Sequence, residues 1–184
     1  MKVIKPVVIE PLTHFASITL TADYPTWNSG TTYALGDRVS YAYGNFESLQ
    51  AGNLANSPNG PYPFQKTPDP TNWWVFVGTD NRAAMFDERV NTPSHAVTTF
   101  THRWFYYKNV MSIAVLDVNA VTVQLRVLEN WPSAPVAIYD ETKGLSGTAI
   151  YDWYGYFFSE VTTDISQIIF ENIQVITYSD FSFF

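Results

Sequence analysis

The stretch from Trp27 to Gly78 constrains the fold more than any other part of the chain. It holds a short extended segment, a Gly36-Asp37 turn, a hairpin and a late strand that carries Trp73 and Trp74. Aromatic and β-branched residues favour strands, while glycine, proline, asparagine and aspartate favour the turns between them. The stretch therefore predicts a small β module held together by aromatic side chains. Such a module suggests surface recognition or assembly rather than catalysis.

Almost no segment of the chain shows the helical period. Apolar residues alternate or form short runs between turn-forming residues, which is typical of strands. We predict a hairpin from Arg38–Tyr43 and Asn45–Leu49, with Gly44 as its turn. The following region, Asn53–Thr71, holds five of the eleven prolines. Because proline fixes φ and cannot donate to a β ladder, this region is predicted to be a stiff loop.

The composition changes near Thr79–Arg82, which is the predicted domain boundary. After it, short strand candidates follow one another at regular spacing, a pattern typical of a β-sandwich. They are His95–Thr101, Met111–Leu116, Thr122–Glu129, Val136–Asp140, Tyr151–Phe158, Gln167–Phe170 and Gln174–Phe181. The segment Asp140–Gly147 is predicted to be a connection. The sequence thus predicts an all-β protein with an extended arm at 1–23, a small β domain at 24–80 and an antiparallel, jelly-roll-like β-sandwich at 81–184.

Charge and composition bear on several classes of function. The net charge is −7 and the ten Lys and Arg residues are scattered, which argues against nucleic-acid binding and against an anionic membrane surface. Without cysteine there is neither a disulfide framework nor a thiolate metal site. Met1–Thr13 lacks the features of a signal peptide, and no run is long enough to span a bilayer. We therefore expect a protein made in a cytoplasm and not inserted into a membrane.

Residues that could carry out catalysis do not form a recognisable set. The three histidines have no partners at ligand spacing, and the adjacent acids Asp140-Glu141 are typical of a solvated turn. No nucleophile elbow, phosphate loop or dinucleotide fingerprint is present. The prediction is a non-enzymatic protein with no catalytic, cofactor-binding or metal-binding residues.

Aromatic residues are the better candidates for binding. Trp27 and Tyr33 either line a sugar site or anchor the small core. Trp73 and Trp74 are adjacent on a predicted strand and therefore point to opposite faces, so that only one of them faces the core. Tyr62 and Phe64 form a second candidate pair in the proline-rich loop, which would lose little conformational entropy on docking because it is stiff. The candidate contact residues for a glycan or a protein partner are Trp27, Tyr33, Tyr62, Phe64, Trp73 and Trp74.

The small module resembles the chitin-binding type of carbohydrate-binding module. The matching residues are Trp27, Tyr33, Gly36-Asp37-Arg38-Val39, Tyr41, Phe46-Glu47, and Trp73 or Trp74 with Gly78. In that family, exposed tryptophans on which sugar rings stack usually follow the Phe-Glu pair. This chain has Ser48–Asn53 there instead, so the resemblance supports the fold more than the ligand.

A broader resemblance covers nearly the whole chain. Thr32–Val39, Ser48–Asn53 and Asn81–Asp87, followed by an acid-rich β domain, look like structural proteins of tailed-phage tails and baseplates. This resemblance implies a non-enzymatic tail-tip or baseplate component of the virion, present in several copies. Its implied partners are other tail or baseplate proteins and further copies of itself. The resemblance also implies a role in attachment to the host surface. The alternative is a carbohydrate-binding module for a bacterial surface glycan; an accessory part of a glycan hydrolase is a third hypothesis.

Overall fold

The computed structural model describes residues 14–58, 73–87, 89, 92–106, 110–116, 118–129, 134–145, 167–173 and 179–183. These residues fall into two compact units, one within Lys5–Phe100 and the other within Thr101–Phe184. Strands dominate both units, and Ala84–Phe86 forms a short 3-10 helix. The prediction of an all-β protein is therefore confirmed.

Six strands lie among the described residues of the first unit. They are β1 (Phe15–Ile18), β2 (Thr32–Tyr33), β3 (Arg38–Tyr41), β4 (Gly44–Ser48), β5 (Asn53–Leu54) and β6 (Trp74–Thr79). Strands β3, β4 and β6 form an antiparallel sheet with β4 in the centre, and β2 pairs with β5. One row across the larger sheet joins Val39, Phe46 and Phe76, and it lies on the core side.

The β3–β4 hairpin turns at Ala42 and Tyr43, which have φ angles of 49° and 67°. The prediction that Gly44 forms the turn is therefore wrong, because Gly44 is the first residue of β4 and pairs with Tyr41. Non-glycine residues adopt positive φ at a cost that other contacts must offset. Here the Tyr43 ring packs edge-on against the Phe15 ring, with 5.2 Å between the ring centres. The backbone carbonyl of Tyr43 accepts a 3.0 Å hydrogen bond from the Asp80 N–H.

The Gly36-Asp37 pair forms the turn that precedes β3. Gly36 has a φ of +86°, a conformation that favours glycine, and Asp37 Oδ2 accepts a 2.7 Å hydrogen bond from the Ala34 N–H. The turn is fixed to β4, because the Gly36 N–H donates to the Ser48 carbonyl and the Ser48 N–H donates to the Asp37 carbonyl, both at 2.8 Å. This part of the carbohydrate-module pattern therefore has a structural role here.

A polar network holds the segment after β6 against the rest of the first unit. Asp23 Oδ2 accepts hydrogen bonds from Asn45 Nδ2 at 2.7 Å and from the Asn81 N–H at 2.8 Å. The buried Asn81 side chain also donates to the carbonyls of Thr21 and His95, and accepts from the His95 N–H at 2.7 Å. The first compact unit consequently continues past Thr79–Arg82. The domain boundary that the sequence predicts there stays a prediction.

The second unit contains β7 (His102–Tyr106), β8 (Ile113–Leu116), β9 (Thr122–Glu129), β10 (Val136–Gly144), β11 (Gln167–Phe170) and β12 (Ser179–Phe183). Within it, antiparallel neighbours follow the order β7-β12-β9-β10, and β8 pairs with β11. Alternate residues of β9, Val123, Leu125 and Val127, are buried, as expected for a strand with one face on a core. The jelly-roll arrangement stays a prediction.

Several strand predictions can be compared with the structure. Thr122–Glu129 and Gln167–Phe170 are strands with the predicted bounds. The strand predicted at His95–Thr101 is wrong: Asn81 binds both backbone groups of His95, and the strand begins only at His102. The connection predicted at Asp140–Gly147 is wrong up to Gly144, which ends β10. Tyr151–Phe158 lies outside the described residues.

Candidate functional site

The core of the first unit is built largely from aromatic rings. Tyr33, Val39, Phe46 and Trp74 are buried together, with the half-buried Trp27, Tyr41, Trp73 and Phe76 packed around them. Tyr33 meets Trp74 edge-to-face at 5.2 Å, and Phe46 meets Phe76 at 5.6 Å. These are favourable geometries for aromatic pairs. A unit this small therefore uses its rings to form its interior.

Two of the candidate contact residues belong to that interior. Tyr33 is 8% exposed and Trp74 only 1%. Their polar atoms are satisfied internally: Trp74 Nε1 donates to the Asn56 carbonyl at 2.9 Å, and the Tyr33 hydroxyl accepts from the Asn28 N–H at 2.7 Å. A ligand could not stack on either ring without opening the unit.

The other candidates retain some exposed surface or are not described. Trp27 and Trp73 are both half-buried against the same core cluster. Trp27 packs edge-on against Tyr41 at 5.6 Å, and its buried Nε1 has no hydrogen-bond partner within the described part of the chain. Tyr62 and Phe64 lie outside the described residues. Within the predicted set, accessible aromatic surface is therefore found at Trp27 and Trp73.

The loop after β4 is a polar turn. Ser48 and Asn53 are both fully buried, and Asn53 Nδ2 donates to Ser48 Oγ at 3.0 Å, while Ser48 Oγ donates to the Gln50 carbonyl at 2.9 Å. Leu49, at 42% exposure, is the large apolar side chain that the loop presents. Sugar stacking needs a flat aromatic face, and this loop does not provide one.

The outer face of the first sheet carries a charged pair and two valines. Arg38 Nε and Glu47 Oε2 are 2.8 Å apart, and Arg38 also donates to the Tyr24 hydroxyl at 3.0 Å. The hydrogen bond to Tyr24 has the larger effect and the one to Glu47 the smaller, and both raise the pKa of Arg38 above its ordinary value. The ladder places Val75 beside Glu47. This row is therefore polar at the β3 side and apolar at the β6 side.

The valines of β6 are functional candidates that the sequence analysis missed. Val75 is 38% exposed and Val77 is 45% exposed, while Trp74, the first residue of β6, is buried. The Trp-Val-Phe-Val run could have predicted them, because this strand is apolar on both faces. When only one face of a sheet is covered, the apolar side chains on the other face stay exposed.

One cleft of about 230 Å³ opens in the first unit, lined by β1, Leu20, Tyr43 and Arg82. None of the four candidate contact residues that the structure describes lines it, and it is smaller than the usual small-molecule site. Arg82 is held there by Asp80, whose two carboxylate oxygens accept from Nε at 2.8 Å and from a terminal nitrogen at 3.2 Å. The guanidinium also lies 5.1 Å from the centre of the Tyr43 ring.

The described residues offer little for other kinds of site. Among the residues described, no three or more of His, Cys, Asp and Glu are grouped as a metal site would need. No helix in the described ranges has the length and apolar character needed to cross a bilayer. Comparison with known proteins finds no matching family model, no matching curated protein and no matching solved structure.

Proposed function

We propose that the chain is a non-enzymatic structural component of a phage tail tip or baseplate, where it contributes to assembly and to attachment at the host surface. The proposal combines the residue pattern of Thr32–Val39, Ser48–Asn53 and Asn81–Asp87 with the arrangement of the first unit. One observation carries the choice of assembly over sugar binding. Tyr33, Phe46 and Trp74, which match the carbohydrate-binding pattern, are buried in the core, and the loop Ser48–Asn53 presents no ring.

Exposed apolar surface also supports a role in protein contacts. Val75 and Val77 in the first unit, and Val136 and Ile138 in the second, are 38 to 54% exposed although they belong to strands. Val75 and Val77 are two residues apart on one strand and so lie on the same face of the sheet, and exposed apolar surface on such a face is typical of protein interfaces. In an assembly, such strands would be covered by neighbouring subunits.

The direct test is to locate the protein in particles of the phage that encodes it. Purified particles would be labelled with gold-conjugated antibodies against the recombinant chain and imaged by electron microscopy. We expect label at the distal end of the tail and the intact chain in mass spectra of the particles. Particles that contain none of the chain would refute the proposal.

The alternative, binding of a bacterial surface glycan, is favoured by the half-buried rings of Trp27 and Trp73. Pull-down on chitin and on purified peptidoglycan would test it with the full chain, the Trp73→Ala variant and a Leu35→Ala control, since Leu35 is 67% exposed and outside the core cluster. The assembly proposal expects no retention of any of the three. Retention of the wild type and the control, but not of Trp73→Ala, would instead establish the glycan-binding function.

A further inference from the structure

The segment Ala96–Thr99 is a stretch of exposed backbone that belongs to no strand. All four residues are exposed, and Val97, at 104% exposure, projects its side chain fully into solvent. The chain bends at Val97–Thr98, and none of the four residues makes a hydrogen bond within the described part of the chain. The pattern of His95–Thr101 predicts a strand, yet the backbone of this segment stays open.

Both ends of the open segment are held. Before it, the Asn81 side chain accepts from the His95 N–H at 2.7 Å and donates to the His95 carbonyl at 2.9 Å. After it, Phe100 is half-buried, and β7 begins at His102, which is fully buried. The segment is therefore a short connection with fixed ends, and it lies where the first compact unit ends in sequence.

An open backbone of this kind is what an endoprotease requires. A protease binds its substrate in an extended form, through the backbone N–H and C=O groups that would otherwise serve a ladder. A stretch that is paired or buried must open before it can be cut, and nicking concentrates at exposed loops for that reason. At Ala96–Thr99, within the described residues, no ladder, hydrogen bond or ring contact has to break first.

The side chains of the segment select the kind of protease. All four residues are small and uncharged, and Val97 is the largest apolar one among them. A small apolar S1 pocket, like that of elastase, accepts such a side chain, whereas pockets for basic or aromatic residues are built for other groups. We propose that the Val97–Thr98 bond is a site of proteolytic processing by an endoprotease with a small apolar S1 pocket.

The reaction is hydrolysis of one amide bond. Water supplies the oxygen that converts the Val97 carbonyl to a carboxylate, the C–N bond breaks, and the protons of water leave Thr98 with a free, protonated amino group. The products are the fragments 1–97 and 98–184. This proposal goes beyond the assembly role and does not rest on it.

The chain contains a matched bond at Val121–Thr122. The dipeptide is identical, and Val121 is also exposed, at 72%. The Val121 carbonyl, however, accepts a 2.9 Å hydrogen bond from the Leu145 N–H, and Thr122 begins β9 opposite Gly144 of β10. Cutting this second bond requires the end of the β9–β10 ladder to open. The comparison therefore separates backbone pairing from the preference of the protease for valine.

Limited proteolysis of the full chain with elastase tests access to the site. Mass spectrometry would follow the products that begin at Thr98 and at Thr122, and synthetic peptides that span each bond would give the intrinsic rates. Relative to those peptides, we expect the Val97–Thr98 bond to be cut about tenfold or more faster than the Val121–Thr122 bond. Equal relative rates, or no product that begins at Thr98, would overturn the proposal.

The Val97→Glu variant tests the role of the side chain. A carboxylate does not suit an apolar pocket, so this variant should lose cleavage at the Val97–Thr98 bond. Its thermal unfolding should match that of the wild type, because Val97 is fully exposed. Val121→Glu is the control and should leave cleavage after Val97 unchanged. Cleavage of Val97→Glu at the wild-type rate would contradict the assigned specificity.

Processing in the producing cells is the closing test. N-terminal analysis of the chain recovered from those cells should find a fragment that begins at Thr98 in the wild type and in Val121→Glu, and none in Val97→Glu. A wild-type chain that stays intact in the cells would refute processing at this bond, whatever elastase does to the purified protein.

Discussion

Replacing Trp74 by phenylalanine measures how strongly the aromatic core holds the first unit. The substitution removes the indole N–H that donates to the Asn56 carbonyl at 2.9 Å and leaves that acceptor without its partner. Such a loss costs about 1–2 kcal/mol. Since Trp74 is 1% exposed, the missing part of the ring also leaves a cavity, which adds about 1–2 kcal/mol. We expect the free energy of unfolding of this unit to fall by about 2–4 kcal/mol.

The assay has to resolve the two units, because their unfolding need not coincide. Hydrogen exchange measured by mass spectrometry over a urea series provides that resolution. Peptides that cover Val39–Ser48 report on the first unit, and peptides that cover Thr122–Glu129 serve as the internal control. Trp74→Phe should shift the exchange midpoint of the first group of peptides and leave the second group unchanged.

Trp73→Phe is the matched variant, since it makes the same chemical change at the half-buried neighbour. We expect it to cost less than about 1 kcal/mol, as most substitutions outside a core do. Equal costs at the two positions, or a cost below about 1 kcal/mol for Trp74→Phe, would refute the view that Trp74 anchors the core.

Three further predictions concern single contacts. Asp80→Asn should destabilise the first unit by about 2–3 kcal/mol in urea unfolding, because it breaks the ion pair between a fully buried carboxylate and Arg82. Gly36→Ala should cost about 1 kcal/mol in the same assay through its φ of +86° alone, since a Cβ there meets nothing within 4 Å. Burial and the hydrogen bond to Glu141 raise the pKa of Tyr139 from 10.0 to about 12. The neutral phenol therefore stabilises the fold below pH 10, and the advantage of wild type over Tyr139→Phe should decline between pH 10 and 12, as thermal unfolding would show.

The sequence was a good guide where local pattern and burial agree. The alternation in Thr122–Glu129 predicts a strand with one buried face, and the structure has that strand with Val123, Leu125 and Val127 inside. The strand and turn pattern of Trp27–Gly78 predicts a small β sheet, and the structure has β3, β4 and β6 there. The pattern could not show which rings face inward, because that depends on pairing across β4, which brings Phe46 opposite Phe76 and Ser48 opposite Trp74.

Long-range hydrogen bonds account for other errors. His95–Thr101 alternates like a strand, but the Asn81 side chain binds the backbone of His95 across a sequence separation that no local pattern reveals. Val75 and Val77 were overlooked for a related reason. Their exposure follows from burial of only one face of the three-stranded sheet, and which face is covered is a property of the whole fold.

The turn at Ala42 and Tyr43 has a consequence for how the chain folds. Hairpins with Asn-Gly or Asp-Gly turns can close early, because the turn is already favourable in the unfolded chain. Ala42-Tyr43 gives no such advantage, and the contacts that stabilise its shape come from Phe15 and Asp80, which are distant in sequence. Because these contacts close long loops, we expect folding of the first unit to depend on non-local encounters, with the hairpin forming after them. The β3–β4 amides should then gain protection late in pulse-labelled hydrogen exchange, and protection ahead of the β6 amides would contradict this order.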